Sequence, residues 1–317
     1  MNKKDIQSFY TYLQSQQTAQ QFLLHCYEKN GESEAKKKSY ANQHAFLYYV
    51  KHGLQFYETG KKLQIIFQPM LFFYGMVHLI KALLLTKRPH YPETTKVLAH
   101  GVSTRKRKKK QYTFLHDEVK IQQQGLFLYF SKHLFSIDHL PFEKVTMEEL
   151  LASIPEMNLF FSFQQTVKMV PIGSNGTNKL AFPIEILDHY HVTEHAFARK
   201  IINFDHAIYE TTRDNEYLYF KLTKPITTFI SPFYLNYDDN QIYFPLNREH
   251  LLPISEIMIH YLLLYNLSMI SRYETEWWGD LVNTMSEMDY PFIKHFLQLT
   301  AKKIPFLLGV QLKQMYG

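Results

Sequence analysis

Apolar residues recur at helical spacing through both ends of the chain and alternate in its middle. The clearest pattern covers residues 67–86. Pro69 suits a first helical turn, apolar side chains follow, and Lys87, Arg88 and Pro89 close the run with positive charge and a breaker. Upstream, Thr18 and Gln21 have capping-box spacing ahead of Phe22, Leu23 and Leu24. Residues 40–57 read as an aromatic-rich helix with Gly53 as its soft spot. Near the far end, Pro253 opens a helix over 254–272, a second covers 275–282, and a last one over 291–303 stops before Pro305.

The pattern differs between these ends. Residues 91–110 show no period and read as a loop. Residues 112–135 read as short strands or extended segments punctuated by Gly125, with an apolar, aromatic stretch at 126–130. Thr146 and Glu149 mark a short helix that Pro155 ends, and Thr193 begins another that runs to Ile202. Residues 167–171 and 179–182 read as strands of one hairpin turning at Gly173, Ser174, Asn175 and Gly176. Residues 216–222 and 241–246 alternate as strands, with a turn at Asp238, Asp239 and Asn240. The expected fold is therefore α+β, mostly α. Helical N- and C-terminal parts form one bundle, and a small mixed α/β region of short antiparallel strands lies between them. The expected division is 1–157, 158–250 and 251–317, with the 67–86 helix packed on the 254–272 helix because each has an apolar face too large for water.

Composition narrows this picture. At 317 residues, 46% hydrophobic and 20% charged, the chain can bury a sizeable core and is not a disordered type. Eleven Gly and 13 Pro are too few for a turn-dense all-β protein. The apolar stretches 70–86 and 254–270 are interrupted by His78 and Lys81, and by Glu256, His260 and Asn266. Both are expected to fall short of a membrane span, and no membrane partner is expected. Cys26 is the only cysteine, so no internal disulfide forms, and the first residues lack a signal-like apolar core; a cytoplasmic location is expected.

The net charge of +6 equals the charge of one run, Arg105, Lys106, Arg107, Lys108, Lys109 and Lys110. The body is otherwise neutral, so any attraction for a polyanion such as RNA rests on that run. Tyr112 and Phe114 follow it as rings that could stack on bases. The preceding His100, Gly101, Val102, Ser103 and Thr104 offer a small nest of backbone amides for an anion.

Two polar stripes carry the remaining candidate chemistry. Tyr74, His78 and Lys81 share one face of the 67–86 helix; Tyr261, Tyr265, Ser268 and Arg272 share one face of the 254–272 helix. If the helices pack, the stripes form a pocket of His, Lys, Arg and Tyr donors suited to phosphate or carboxylate. The alternative is a solvent face or an internally satisfied network, with Glu274 and Glu276 as partners for Arg272. His189, His191 and His195 beside Asp188 do not share one element, so no metal site is assigned and no cofactor is expected.

Three segments carry a family resemblance. They are Gln68-Pro-Met-Leu-Phe-Phe-Tyr-Gly-Met-Val-His-Leu-Ile-Lys, then His100-Gly-Val-Ser-Thr running on to Gly125-Leu-Phe, and Leu267-Ser-Met-Ile-Ser-Arg-Tyr-Glu-Thr-Glu-Trp. Together they resemble the YaaC-like family of bacterial proteins nearly end to end. Members of that family carry no assigned activity, so the resemblance implies little about a reaction. Tyr74-Gly-Met-Val-His-Leu-Ile-Lys is also similar to the second helix of HEPN domains, helical bundles associated with nucleotides and RNA. The nuclease members of that group carry Arg-x4-His; here Trp277 stands where the His would follow Arg272, which argues against RNase chemistry.

The sequence thus points to a binding protein for a nucleotide, RNA or another phosphate-bearing ligand. Its candidate residues are Tyr74, His78, Lys81, His100, Ser103 and Arg272 together with the basic run. Two alternatives stay open: an enzyme on a phosphorylated or nucleotide substrate, with His78 as acid/base and Lys81 and Arg272 on the anion, and a protein-interaction scaffold. A homodimer stays open as well.

Overall fold

The computed structural model describes residues 2–105, 112–202, 208–226 and 231–316. The chain divides into two compact units, Met1–Met147 with His260–Gly317, and Glu148–Ile259.

The first unit opens with α1 (Lys3–Tyr12), α2 (Gln16–Lys29), α3 (Ala35–Lys62) and α4 (Gln68–Lys87). Ser15, not Thr18, caps α2: its Oγ accepts the Thr18 amide, and the helix begins one turn earlier than the capping-box spacing implies. From Phe72 through Thr86 every α4 residue is buried except Tyr74, His78 and Lys81. A helix apolar on nearly all sides must be surrounded, and α2, α3, α5 and α12 pack on it. By length and composition, Ile65–Lys87 does suffice to cross a membrane, contrary to the sequence expectation, but 72% of its most apolar window is buried inside the protein.

At the crossing of α3 and α4 two glycines face each other. A Cβ on Gly75 would lie 3.1 Å from the Gly53 carbonyl oxygen, and one on Gly53 would lie 3.1 Å from that of Gly75. Gly53 is therefore a contact point and not a weakness. The close approach brings the polar stripe of α4 onto the rings of α3.

Next come β1 (Val102–Thr104), β2 (Glu118–Ile121), α5 (Leu126–Phe135) and β3 (Lys144–Thr146). The strands form an antiparallel sheet in the order β1-β2-β3, with Thr104 opposite Val119 and Val119 opposite Val145. Two expectations fail here. The 91–110 stretch contains a strand, and 126–135 is a helix although its aromatic run suggested extension. Helix propensity and burial of Leu126, Phe127, Phe130 and Leu134 at i, i+1, i+4 and i+8 decide the second case.

The second unit begins within α6 (Met147–Ala152) and continues with α7 (Asn158–Ser162), β4 (Met169–Ser174), β5 (Lys179–Pro183), α8 (Ile186–Tyr190), α9 (Glu194–Ile202), β6 (Ile208–Arg213), β7 (Tyr217–Leu222), β8 (Tyr234–Leu235) and β9 (Gln241–Pro245). The expected hairpin of β4 with β5 does not form. β4 pairs with β9 and β5 with β7, giving antiparallel sheets β4-β9-β8 and β5-β7-β6. Their inward faces share one core containing Ile172, Leu180, Phe182, Phe197, Phe220 and Phe244. Pooling apolar area in this way favours partners distant in sequence over the adjacent strand.

The last helices are α10 (Glu256–Tyr273), α11 (Thr275–Thr284) and α12 (Asp289–Tyr316). Residues of α10 from His260 onward, with α11 and α12, belong to the first unit. α12 does not stop before Pro305 but runs through it. There the Tyr10 hydroxyl donates to the Pro305 carbonyl at 2.9 Å and ties this turn of α12 to α1. The protein is thus α+β and mostly α.

Candidate functional site

One member of the α4 stripe, Tyr74, meets the end of α10 in the first unit. Phe73 lies edge-on to Tyr261 at 5.3 Å and to Tyr265 at 5.6 Å. One residue further along α4, the Tyr74 hydroxyl accepts from Arg272 Nη1 at 3.4 Å. Arg272 is fixed by its own helix as well, donating from Nε to the Ser268 carbonyl at 2.9 Å. Neither Glu274 nor Glu276 neutralises it; among the described residues no carboxylate lies within 4.0 Å of its guanidinium. Ser268 turns its hydroxyl back to the Tyr265 carbonyl at 2.8 Å and contributes no free donor.

His100 completes this group from the segment ahead of β1. Its carbonyl accepts from the Tyr261 hydroxyl at 2.9 Å and from the Phe127 amide at 3.1 Å. Its ring sits edge-on among Phe73 at 4.9 Å, Tyr265 at 5.8 Å and Tyr74 at 6.2 Å. Its Nδ1 is buried and has no hydrogen-bond partner among the described residues. Burial lowers its pKa, and the charges of Arg272 and Lys81 lower it further. The imidazole is therefore neutral at pH 7, beside cations.

His78 stands in a different setting. It stacks on Phe56 of α3 at 5.6 Å, with Tyr49 at 5.8 Å and His52 edge-on at 5.9 Å. Burial, then Lys81, then His52 push its pKa down to about 4. Its Nδ1 is likewise buried and unpartnered. Lys81 links the two histidines, since its charge acts on both. Its ammonium lies 5.7 Å from the Tyr49 ring centroid and has no carboxylate within ion-pair distance among the described residues, and burial lowers its pKa. A further buried donor, the Tyr91 hydroxyl, is unpartnered, and it interacts electrostatically with Tyr49.

His100 and Tyr265 also line an open cleft of about 960 Å³, walled by Gln122, Gln123, Gln124 and His139. That volume lies in the range of small-molecule sites. Two features hold this wall. Gly101 and Gly125 meet backbone to backbone, and the Leu126 amide donates to the Ala99 carbonyl at 2.7 Å.

Other candidate residues are placed elsewhere. Ser103 lies in β1 and its Oγ accepts from Gln122 Nε2 at 2.6 Å; residues 102–104 pair with β2, so they form a strand and not an amide nest. Arg105 is exposed at the end of β1, while Lys106, Arg107, Lys108, Lys109 and Lys110 lie outside the described residues. Phe114, expected as a stacking ring, is fully buried, and its amide donates to Asp289. Tyr112 is held by Asp117, its hydroxyl donating to Oδ2 at 2.9 Å, and by Trp277 edge-on at 4.8 Å. Asp117 Oδ2 also accepts from the Asn266 amide at 2.9 Å. Among the described residues no group of three or more His, Cys, Asp or Glu side chains is arranged to hold a metal. Sequence reasoning missed Tyr49, His52, Phe56 and Tyr91, and the cleft. Only the aromatic richness of α3 hinted at the first three.

These features define a mostly helical α+β protein in which His100 and Tyr265 belong both to an aromatic group beside Arg272 and to the lining of a glutamine-walled cleft. The chain matches the YaaC-like Protein family over residues 11–312, and it belongs to that family. No curated protein and no solved structure matches it.

Proposed function

We propose that this protein binds a phosphate-bearing small molecule of the nucleotide class, with the phosphate held by Lys81, His100 and Arg272. One observation carries the reading: Arg272 reaches Tyr74 beside the half-buried His100 ring, and neither Arg272 nor Lys81 has a carboxylate partner among the described residues. Desolvated like charges repel, and an anion supplied from outside removes that cost. Arg272 offers a planar fork and Lys81 a point charge, the pairing that phosphate recognition uses. On this reading the rest of the ligand lies in the cleft that His100 lines, where glutamine amides can donate and accept to a heterocycle. The likeness of the α4 segment to HEPN helices supports the same class, and the basic run adds attraction for longer polyanions.

A second reading, an enzyme on a phosphorylated substrate, is favoured by the unpartnered Nδ1 of His100 beside Arg272. On that reading the base is His100 and not His78.

A thermal-shift screen of nucleoside mono-, di- and triphosphates and inorganic pyrophosphate at fixed ionic strength tests the proposal. The parent Tm should rise with a subset of nucleotides, and R272A and K81M should lose the response. No shift with any nucleotide or pyrophosphate would overturn it.

A further inference from the structure

The outer face of α3 carries a line of rings that the phosphate pocket does not use. Tyr40, His44, Tyr48 and His52 follow at four-residue steps and all four are exposed, Tyr40 by 69% and Tyr48 by 52%. Exposed rings of this size in a row are uncommon on a protein surface without a partner. Three of the four rings lie nearly parallel in succession: His44 to Tyr48 at 6.3 Å and 27°, Tyr48 to His52 at 5.9 Å and 25°. The line does not end at the surface. His52 meets His78 edge-on, and His78 is one of the two histidines on which Lys81 acts.

Within residues 35–57 of α3 the formal charges have one sign. From residue 35 through residue 57, α3 has Lys36, Lys37, Lys38 and Lys51 and no Asp or Glu. Lys37 and Lys38 pair with Glu34 and Glu32. Lys36 and Lys51 are exposed and have no ion pair among the described residues, and Lys51 is one turn from Tyr48 on the same face. A second copy of this face would bring like charges together. An acidic peptide would satisfy the lysines but leave the parallel rings without planar partners.

We infer that the ring line of α3, Tyr40–His44–Tyr48–His52, is a stacking track for a single-stranded nucleic acid, whose terminal phosphate is held at Lys81. Flat rings bind bases with little regard to sequence, and flanking lysines meet the backbone phosphates. Four helical residues advance about 6 Å, so each ring takes its own base along an extended strand. A duplex, with its bases already stacked, has no face to offer the rings. The proposal rests on the phosphate reading for the strand's end, and the two are separable by experiment.

Fluorescence anisotropy of the full-length protein with eight-nucleotide single strands, bearing or lacking a terminal phosphate, and with the matching duplex tests the track. All four rings are at the surface, so Y40A/Y48A should keep the parent's Tm. That variant should bind single strands at least tenfold more weakly, Y40F/Y48F should retain affinity, and the pyrophosphate thermal shift should be unchanged in both. Unchanged strand affinity in Y40A/Y48A, equal binding of duplex, or no strand binding by the parent would overturn the track. So would a change in oligomeric state of Y40A/Y48A by light scattering, since the face would then join two copies. Loss of the pyrophosphate shift in the parent, with strand binding intact and ring-dependent, would overturn the phosphate pocket and leave the track standing.

Discussion

Gly101 and Gly125 touch through their backbones: a Cβ on Gly125 would lie 2.5 Å from the Gly101 amide nitrogen. Both have positive φ, +79° and +125°, a region side chains rarely enter. This contact joins the segment that carries His100 to the start of α5. Two motifs separated in the chain, His100-Gly101 and Gly125-Leu126-Phe127, are thereby held together, and the first of them lines the cleft.

Gly125→Ala must therefore both strain its backbone and push the two segments apart. The expected loss is roughly 3 kcal/mol or more of folding stability. Urea denaturation checks it. A midpoint within error of the parent would show that the two segments are not held this way.

The α3–α4 crossing gives a paired prediction. A Cβ on Gly75 would meet the Phe56 Cβ at 3.0 Å and the Gly53 carbonyl at 3.1 Å, whereas one on Gly279 in α11 meets nothing within 4 Å. Alanine adds up to about 1 kcal/mol of intrinsic helix preference at either position. Gly279→Ala should thus stabilise by roughly 0.5–1 kcal/mol, and Gly75→Ala should destabilise by about 1–2 kcal/mol because overpacking exceeds the gain. Equal signs in thermal melts would refute the close crossing.

Arg272→Ala separates ligand from structure. With no carboxylate among its described partners, the guanidinium leaves no buried acid unpaired when removed. Its folding stability should change by less than about 1 kcal/mol, while the nucleotide-induced shift disappears. A loss of roughly 3–5 kcal/mol would instead mark a buried ion pair.

His78 makes stability depend on pH. Its folded pKa of about 4 is below the ordinary histidine value of 6.5, so between these values the unfolded chain holds more protons. Stability is then complete above about pH 6.5 and declines as pH falls toward 4. His78→Gln cannot titrate, and its urea midpoint should fall less steeply over that window. An identical slope in parent and variant would show that His78 does not report its surroundings this way.

The α4 stripe was legible from the chain because helical periodicity is local: a spacing of three or four residues sets which side chains share a face, and nothing beyond the helix is needed. For the same reason the sequence located β7 and β9 and the chain's mostly helical α+β character. Partners are another matter. That β4 joins β9 and not its neighbour β5 depends on which faces pool their apolar area, a property of the whole core. That Arg272 meets Tyr74 beside His100, while His78 stacks on α3, follows from the approach of Gly53 to Gly75 and of Gly101 to Gly125. α12 passes through Pro305, where the Tyr10 hydroxyl, 295 residues away in the chain, holds the carbonyl. The sequence by itself determined which residues lie on one face of an element. Only the tertiary structure decided which faces meet, because that choice is made by burial and hydrogen bonding between segments far apart in the chain.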